Sequence, residues 1–284
     1  GLLQRGGSVE QQAEIIPRII EGGCQGAFAY LERQSRHQLA DIKTTATVEG
    51  DQLVLNGEKV VVFNGASADQ LIVAARSSGE QSDEAGITLV LVPADAAGVE
   101  RTAYRLMDGQ VVANITFSNV QVPVADIVGE LDNGYAVMGP VITQANVALA
   151  AEALGIMGQL NAKTLEYTKT RKQFDVAIGS FQALQHRMVD TFMAYEQVKS
   201  LLYRAVCELD GAGDDAAACV HALQVLVDRN GRKIFGEAIQ LHGGMGITDE
   251  LDIGHYAKRL MMINTTFGNG DYHQAKFNEL RYSA

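Results

Sequence analysis

The sequence predicts an α+β protein: a small antiparallel β domain, read as a barrel, followed by a four-helix bundle. Three observations carry that prediction. Between about 40 and 128 the chain runs in short alternating segments rich in Val, Ile, Thr and Leu, punctuated by turns. From about 135 onward it becomes rich in Ala, Leu, Met and Gln with few breakers. At 284 residues and 47% hydrophobic, it is long enough to bury two moderate cores.

Taken in order, residues 9 to 22 (VEQQAEIIPRIIEG) place Ile15, Ile16, Ile19 and Ile20 at helical spacing, and Gly22 and Gly23 stop the run. The opening GLLQRGGSVEQQ lies partway into a helical pattern, which gives residues 1–30 the look of the remnant of a larger N-terminal helical domain. The segments TTATVEGD, QLVLNGEKVVVFNG, DQLIVAARSSG, GITLVLVPAD and VVANITFSNVQVP then read as six to eight strands, with 31–132 as the β domain. Asn56-Gly57, set between LVL and VVV, predicts a tight hairpin, because both central positions of that turn take positive φ. Residues 133–284 form the expected bundle. One long helical pair covers about 135 to 209 with an interruption near 175 to 180, GAGDD at 211 to 215 breaks the chain, and two further helices follow at about 216–241 and 250–282. Helices this apolar need partners, so a bundle and an oligomer are both expected.

Composition narrows function. A net charge of −11 argues against nucleic acid, which needs a concentrated basic surface; the one short basic cluster, Arg171 and Lys172, is too small. Cys24, Cys207 and Cys219 are far apart with no CxxC spacing, and His37, His221, His255 and His273 have no metal-ligand spacing, so neither a metal nor a disulfide framework is expected. No apolar run is expected to span a bilayer, and a reducing cytoplasm fits best.

Two stretches hold the candidate chemistry. In RKQFDVAIGSFQALQHRM (171 to 188), a guanidinium fork beside an aromatic side chain suits an anion such as a pyrophosphate; the same residues could equally cap a helix C-terminus. In QLHGGMGITDE (240 to 250), Gly243, Gly244 and Gly246 permit close backbone approach, although the stretch is neither a P-loop nor a dinucleotide fingerprint.

At their mutual spacing, R-K-Q-F-D with F-Q-x-x-Q-H and the later Q-L-H-G-G-x-G-x-T-x-E resemble the C-terminal signatures of the acyl-CoA dehydrogenase family, and GDQLVLNGEKVVVFNGASAD, LVLVPAD and FSNVQVPVADIVGE resemble its middle domain. The resemblance implies FAD held between the middle domain and the bundle, with its far end gripped by a neighbouring subunit. By that resemblance Arg171 binds the pyrophosphate, Gln173 and Phe174 are flavin contacts, and Gln240, Gly243 and Gly244 meet the adenosine and pyrophosphate portion; Gln182 and His186 are lesser candidates, and His242 reads as an oriented structural histidine. The implied reaction is α,β-dehydrogenation of an acyl-CoA thioester, in which a carboxylate removes the α proton while hydride passes to the flavin; an electron-transferring flavoprotein is the implied acceptor.

The chain departs from the family where that carboxylate belongs. Counting from Gln240, the usual Glu slot in INTTFGNGDYH falls on Phe267, or on Gly268 with the register shifted by one, and neither accepts a proton. The other known location, on the first bundle helix, matches Ala145 and Asn146 in VITQANVALA; Glu152 lies two turns on and reads as a packing residue. Asp271 is the nearest acid, either a relocated base or an N-cap of the last helix. The flavin-facing W-x-T stretch is replaced by Val61, Val62 and Phe63, and a T-E-P-G-A-G-S-D segment by YLERQSRHQLAD, with Glu32 the one match. An outer half retained and an inner half lost most resembles the small-subunit type of pimeloyl-CoA dehydrogenases and of partners in steroid side-chain degradation. That resemblance implies a partner subunit carrying the base in an α2β2 heterotetramer; a self-sufficient homo-oligomeric acyl-CoA dehydrogenase or oxidase with its base relocated to Asp271 is the alternative.

Overall fold

The computed structural model describes residues 1–282 except 212 and 214. The chain divides into two compact units, Gly1–Val141 and Ile142–Ala284.

In the first unit, helix α1 (Leu2–Gly6) leads into α2 (Val9–Ile20). Ser8 caps α2 by accepting from the Gln11 amide, and the Gln11 side chain returns to the Ser8 amide, so two otherwise orphaned donors are satisfied reciprocally. Strands β1 (Gly26–Ala29), β2 (Thr45–Glu49), β3 (Gln52–Phe63), β4 (Gln70–Arg76), β5 (Ile87–Pro93), β6 (Val99–Arg105) and β7 (Val111–Pro123) form one curled, seven-stranded half-barrel. Its order is β1-β4-β2-β3-β7-β6, with β5 also on β4. Most pairs are antiparallel, but β1 and the start of β2 run parallel to β4. The concave core is Leu53, Leu55, Leu71, Val73, Ile115 and Phe117; a second cluster packs Leu2, Leu3 and Ile15 against Ile87, Leu89 and Met138.

The Asn56-Gly57 turn is not there. Both residues lie inside β3, and the β2–β3 hairpin turns instead at Gly50-Asp51, between the paired Glu49 and Gln52. Asn56 and Gly57 mark a bulge against β7. Gly57 takes φ +150°, and a Cβ there would lie 2.5 Å from Thr44 Oγ1, while the Asn56 side chain accepts from the Asn119 amide. The glycine therefore serves close strand approach rather than a turn.

The second unit is the helical bundle. Helix α3 (Gly134–Thr170), which begins in the first unit, is followed by a two-stranded hairpin of β8 (Lys172–Gln173) and β9 (Val176–Ala177), then α4 (Gln182–Asp210), α5 (Ala216–His242), α6 (Ile253–Ile263) and α7 (Gly270–Tyr282). Two expectations are corrected. Helix α3 is long and apolar enough by length and composition to cross a membrane. Its Ala150, Ala153, Met157 and Leu160 are instead buried in the bundle core with Val198, Leu223, Val227 and Leu260. The last expected helix, 250–282, is two helices separated by 264–269. The expected break at 211–215 falls partly on residues 212 and 214, which lie outside the described residues; α4 ends at Asp210 and α5 starts at Ala216. Buried amides tie the helices together: Gln224 donates to the Asn146 carbonyl at 2.6 Å, and Asn230 to that of Ala194 at 3.0 Å.

Candidate functional site

In the second unit, the C-terminal ends of α3 and α5 frame a depression of about 450 Å³, within the range of small-molecule sites. Tyr167, Arg171, Gln173 and Ile178 line one side; Gln240, His242, Gly243, Gly244, Met245 and Thr248 line the other. The two stretches singled out in the sequence thus meet around one cavity. Tyr167 was not among the residues expected there, yet it precedes Arg171 by four and so shares its helical face, a signal the sequence did contain.

The chemistry of the lining suits an anion. The Arg171 guanidinium has no hydrogen-bond or ion-pair partner among the described residues, whereas Arg187, Arg204, Arg232, Arg259 and Arg281 all pair with carboxylates. Gly243 caps α5 at φ +61°, and a Cβ added at Gly243 or at Gly244 would meet nothing within 4 Å. Those two glycines leave room for something other than protein, while Gly246 is different: its Cβ would come within 2.6 Å of the Ile239 carbonyl. Beneath the glycines His242 is buried, with Nδ1 2.7 Å from the Ala238 carbonyl, so that nitrogen carries the proton.

The other expected residues lie elsewhere. Lys172–Ala177 is a hairpin rather than an irregular loop, and its two-residue turn puts Phe174 (φ +54°) and Asp175 (φ +63°) at the tip. Phe174 is 87% exposed there and meets Phe181 edge-on at 6.2 Å. Gln182, the first residue of α4, and His186 are exposed and do not line the depression.

The two positions of the carboxylate slot hold no acidic side chain. Phe267 sits at φ +57°, and Gly268 at φ +133° packs so closely on the buried His273 that a Cβ would lie 2.5 Å from its Nε2. Asn269, not Asp271, caps α7, accepting from the Tyr272 amide at 2.9 Å. Asp271 stands exposed in the first turn, its carboxylate without a hydrogen-bond or ion-pair partner among the described residues. Glu152 is held by Arg259 through two bonds of 2.6 and 2.8 Å, and Asn146 is buried. No group of three or more metal-ligating side chains occurs among the described residues.

In the first unit, Glu32 is committed to structure. Its carboxylate accepts from Lys59 Nζ at 2.7 Å, from the Lys43 and Thr44 amides, and from Gln34, which clamps the segment that follows β1 onto the start of β2. Burial pushes that carboxyl up, but the Lys59 ammonium and the hydrogen bonds outweigh it and hold the group at about 2. Lys59, fully buried, is lowered to about 8 by desolvation against the pull of Glu32. Val61, in the stretch facing the flavin in the family resemblance, takes φ +52°, a strained conformation for a β-branched residue, with its amide on Asn114 Oδ1.

Comparison with known proteins agrees with this architecture. The acyl-CoA dehydrogenase middle domain matches residues 27–120 and the acyl-CoA dehydrogenase C-terminal domain residues 132–277. A 3-(aryl)acrylate reductase of Clostridium sporogenes is 28% identical over 271 residues, covering 94% of this chain and 71% of that protein. The mitochondrial isovaleryl-CoA dehydrogenase of Solanum tuberosum is 29% identical over 274 residues, covering 95% and 66%. Among solved structures, an acyl-CoA dehydrogenase from Geobacillus kaustophilus superposes with a TM-score of 0.94 at 23% identity over 99% of this chain and 75% of that one. A structure of PigA with FAD and proline superposes at 0.93 with 25% identity, over 98% and 73%.

Proposed function

This chain belongs to the acyl-CoA dehydrogenase family, and from that premise we propose that it is a subunit of an FAD-dependent acyl-CoA dehydrogenase, holding the pyrophosphate and adenosine end of FAD while a partner subunit carries the base. The observation that carries the reading is the meeting of an unpaired Arg171 with Gln173, Gln240, Gly243 and Gly244 around one depression. A guanidinium fork can bind a pyrophosphate through two parallel bonds, and two glycines without side-chain neighbours let backbone approach it. When bound, the cofactor supplies the acceptor for the hydride leaving the β carbon of the thioester. This chain's residues bind and orient its far end. Phe267 and Gly268 have no proton-accepting side-chain atom, so the α proton goes to a carboxylate of the partner subunit.

The departures in the first unit support the same division of labour. Glu32 is engaged by Lys59 and two backbone amides, leaving it no free oxygen to offer a ligand without breaking that clamp. Helix α4 exposes Val189, Phe192, Met193 and Tyr203 along one side, which supports assembly with another chain, here read as an α2β2 heterotetramer of the pimeloyl-CoA dehydrogenase small-subunit type. An acyl-CoA is the proposed substrate, an electron-transferring flavoprotein the proposed acceptor, and the cytoplasm the proposed location.

One observation favours a second reading. Because Asn269 does the capping, the exposed Asp271 carboxylate is not committed to α7, and it would be the base of a self-sufficient homo-oligomer. Replacing Arg171 by Ala tests the main proposal: flavin retained per assembly falls while the far-ultraviolet circular dichroism is unchanged. Unaltered flavin content would remove the assignment.

A further inference from the structure

The depression has two limbs from different helices. Arg171 follows directly on α3, and Gly243 and Gly244 follow directly on α5. An anion held by both needs their separation fixed to a fraction of an ångström, since a bidentate grip weakens quickly with misplacement. Arg171 lies just past the last helical residue, its backbone held by the Tyr167 carbonyl and the Ile178 amide, and Gly243 is a glycine at positive φ, so within each limb nothing sets the distance to the other.

One pair of side chains bridges the limbs. The Tyr167 ring stacks on the His242 ring with centroids 4.3 Å apart and planes 29° apart. The Tyr167 hydroxyl donates to the His242 carbonyl at 3.3 Å, at the point where α5 gives way to the turn of Gly243–Ile247. The His242 Nδ1–H donates in turn to the Ala238 carbonyl one turn back, which holds the imidazole plane upright for the stack. On the other side, the Arg171 amide donates to the Tyr167 carbonyl at 2.8 Å, so the backbone carrying the guanidinium moves with Tyr167. The resulting chain of contacts runs from Arg171 through Tyr167 and His242 to Gly243 without a gap, and all four residues line the cavity.

We propose that Tyr167 and His242 are positioning residues, a latch that sets the distance between the Arg171 guanidinium and the Gly243-Gly244 backbone and so selects a ligand carrying a pyrophosphate-sized anion. The inference rests on the reading of the depression as a pyrophosphate grip. Neither side chain needs to touch the ligand: a structural role alone would tie α3 to α5, whereas the latch acts through Arg171.

The test is a titration of the full chain with ADP, which carries the pyrophosphate and adenosine found in FAD, followed by amide chemical shifts or calorimetry. Four proteins are compared: wild type, Tyr167→Phe, Arg171→Ala and the double variant. Tyr167→Phe keeps the ring stack and removes one hydroxyl, so it folds as the wild type does, which a thermal melt verifies. It weakens ADP binding about three- to tenfold, the loss expected when one hydrogen bond no longer holds the limb. In the Arg171→Ala background the same change has no further effect, because there is no guanidinium left to position. If Arg171→Ala weakens ADP binding but Tyr167→Phe alters it by less than about twofold, or if the two losses simply multiply, the latch is wrong and the grip stands. If the wild type does not bind ADP, or Arg171→Ala binds it equally well, the grip itself fails and the latch falls with it.

Discussion

Replacing Lys59 by Met isolates the clamp that has taken over the Glu32 segment. The two charges lie 2.7 Å apart with side chains 0% and 4% exposed, so their attraction is about 6 kcal/mol at an effective dielectric of about 20. Most of that offsets the cost of bringing both ions out of water. Removing one partner leaves the other buried and uncompensated, which costs about 3–5 kcal/mol. Lys59→Met and Glu32→Gln should each lose that much in urea unfolding at pH 7. The double variant should recover the part that comes from an unpaired buried charge, because no ion is left uncompensated and a methionine fills the volume of the lysine stem; the Lys43 and Thr44 amides bond different oxygens of the carboxylate, so the amide replacing it keeps only one of those two bonds and the recovery is incomplete. The pH dependence carries a second signature. The Glu32 carboxyl is depressed from an ordinary 4.5 to about 2, so the folded state binds fewer protons than the unfolded in that interval. The stabilisation is complete above pH 4.5 and lost as pH falls toward 2. In Lys59→Met, which lacks the main influence holding the carboxyl down, this acid limb flattens. A loss below about 1 kcal/mol in either single variant, or a double variant as unstable as both losses added together, would refute the argument that the pair is a buried, coupled clamp.

Other outcomes follow from the same geometry. Gly244→Ala should leave the thermal midpoint within about 2 °C of wild type while reducing flavin retention, whereas Gly246→Ala, whose Cβ would press to 2.6 Å from the Ile239 carbonyl, should lower the midpoint by several degrees; calorimetry on both separates a binding glycine from a packing one. Gly57→Ala should destabilise the first unit by about 1–3 kcal/mol, because its φ of +150° and the contact with Thr44 both oppose a side chain. Asp271→Asn should leave flavin bleaching by acyl-CoA intact in the smallest active assembly if a partner carries the base; abolished bleaching would establish the homo-oligomeric alternative. Light scattering should give a dimer or larger, and Phe192→Glu, on the exposed apolar side of α4, should shift the distribution toward smaller species.

The order of domains was legible because its signals are periodic: alternation in the strands and 3.6-residue spacing in the helices survive any tertiary context. The Arg171 and Gly243-Gly244 limbs were legible too, since glycines beside a helix end and an arginine past one are local features. What was not legible depended on partners distant in sequence. Asn56-Gly57 carries the strongest local hairpin signal in the β domain, yet the strand runs straight through it because Thr44 requires a glycine opposite. Lys59 looks like a solvated strand residue until Glu32, 27 residues earlier, is placed beside it. The break between α6 and α7 was legible in principle, because NTTFGNGD (264–271) interrupts the apolar spacing and Asn269 between Gly268 and Gly270 supplies the cap and turn. The four-residue spacing from Arg171 could have placed Tyr167 at the depression, but not its contact with His242, which is 75 residues away.

In the proposed assembly this chain holds one end of a flavin whose reactive end needs another subunit. The most direct test is the absorbance spectrum of the chain purified alone, then co-expressed with an acyl-CoA dehydrogenase-like partner. A flavin band near about 450 nm is expected only in the co-expressed assembly, with little or none in the chain alone. A chain that is yellow by itself, at one flavin per subunit, and bleaches with an acyl-CoA would contradict it.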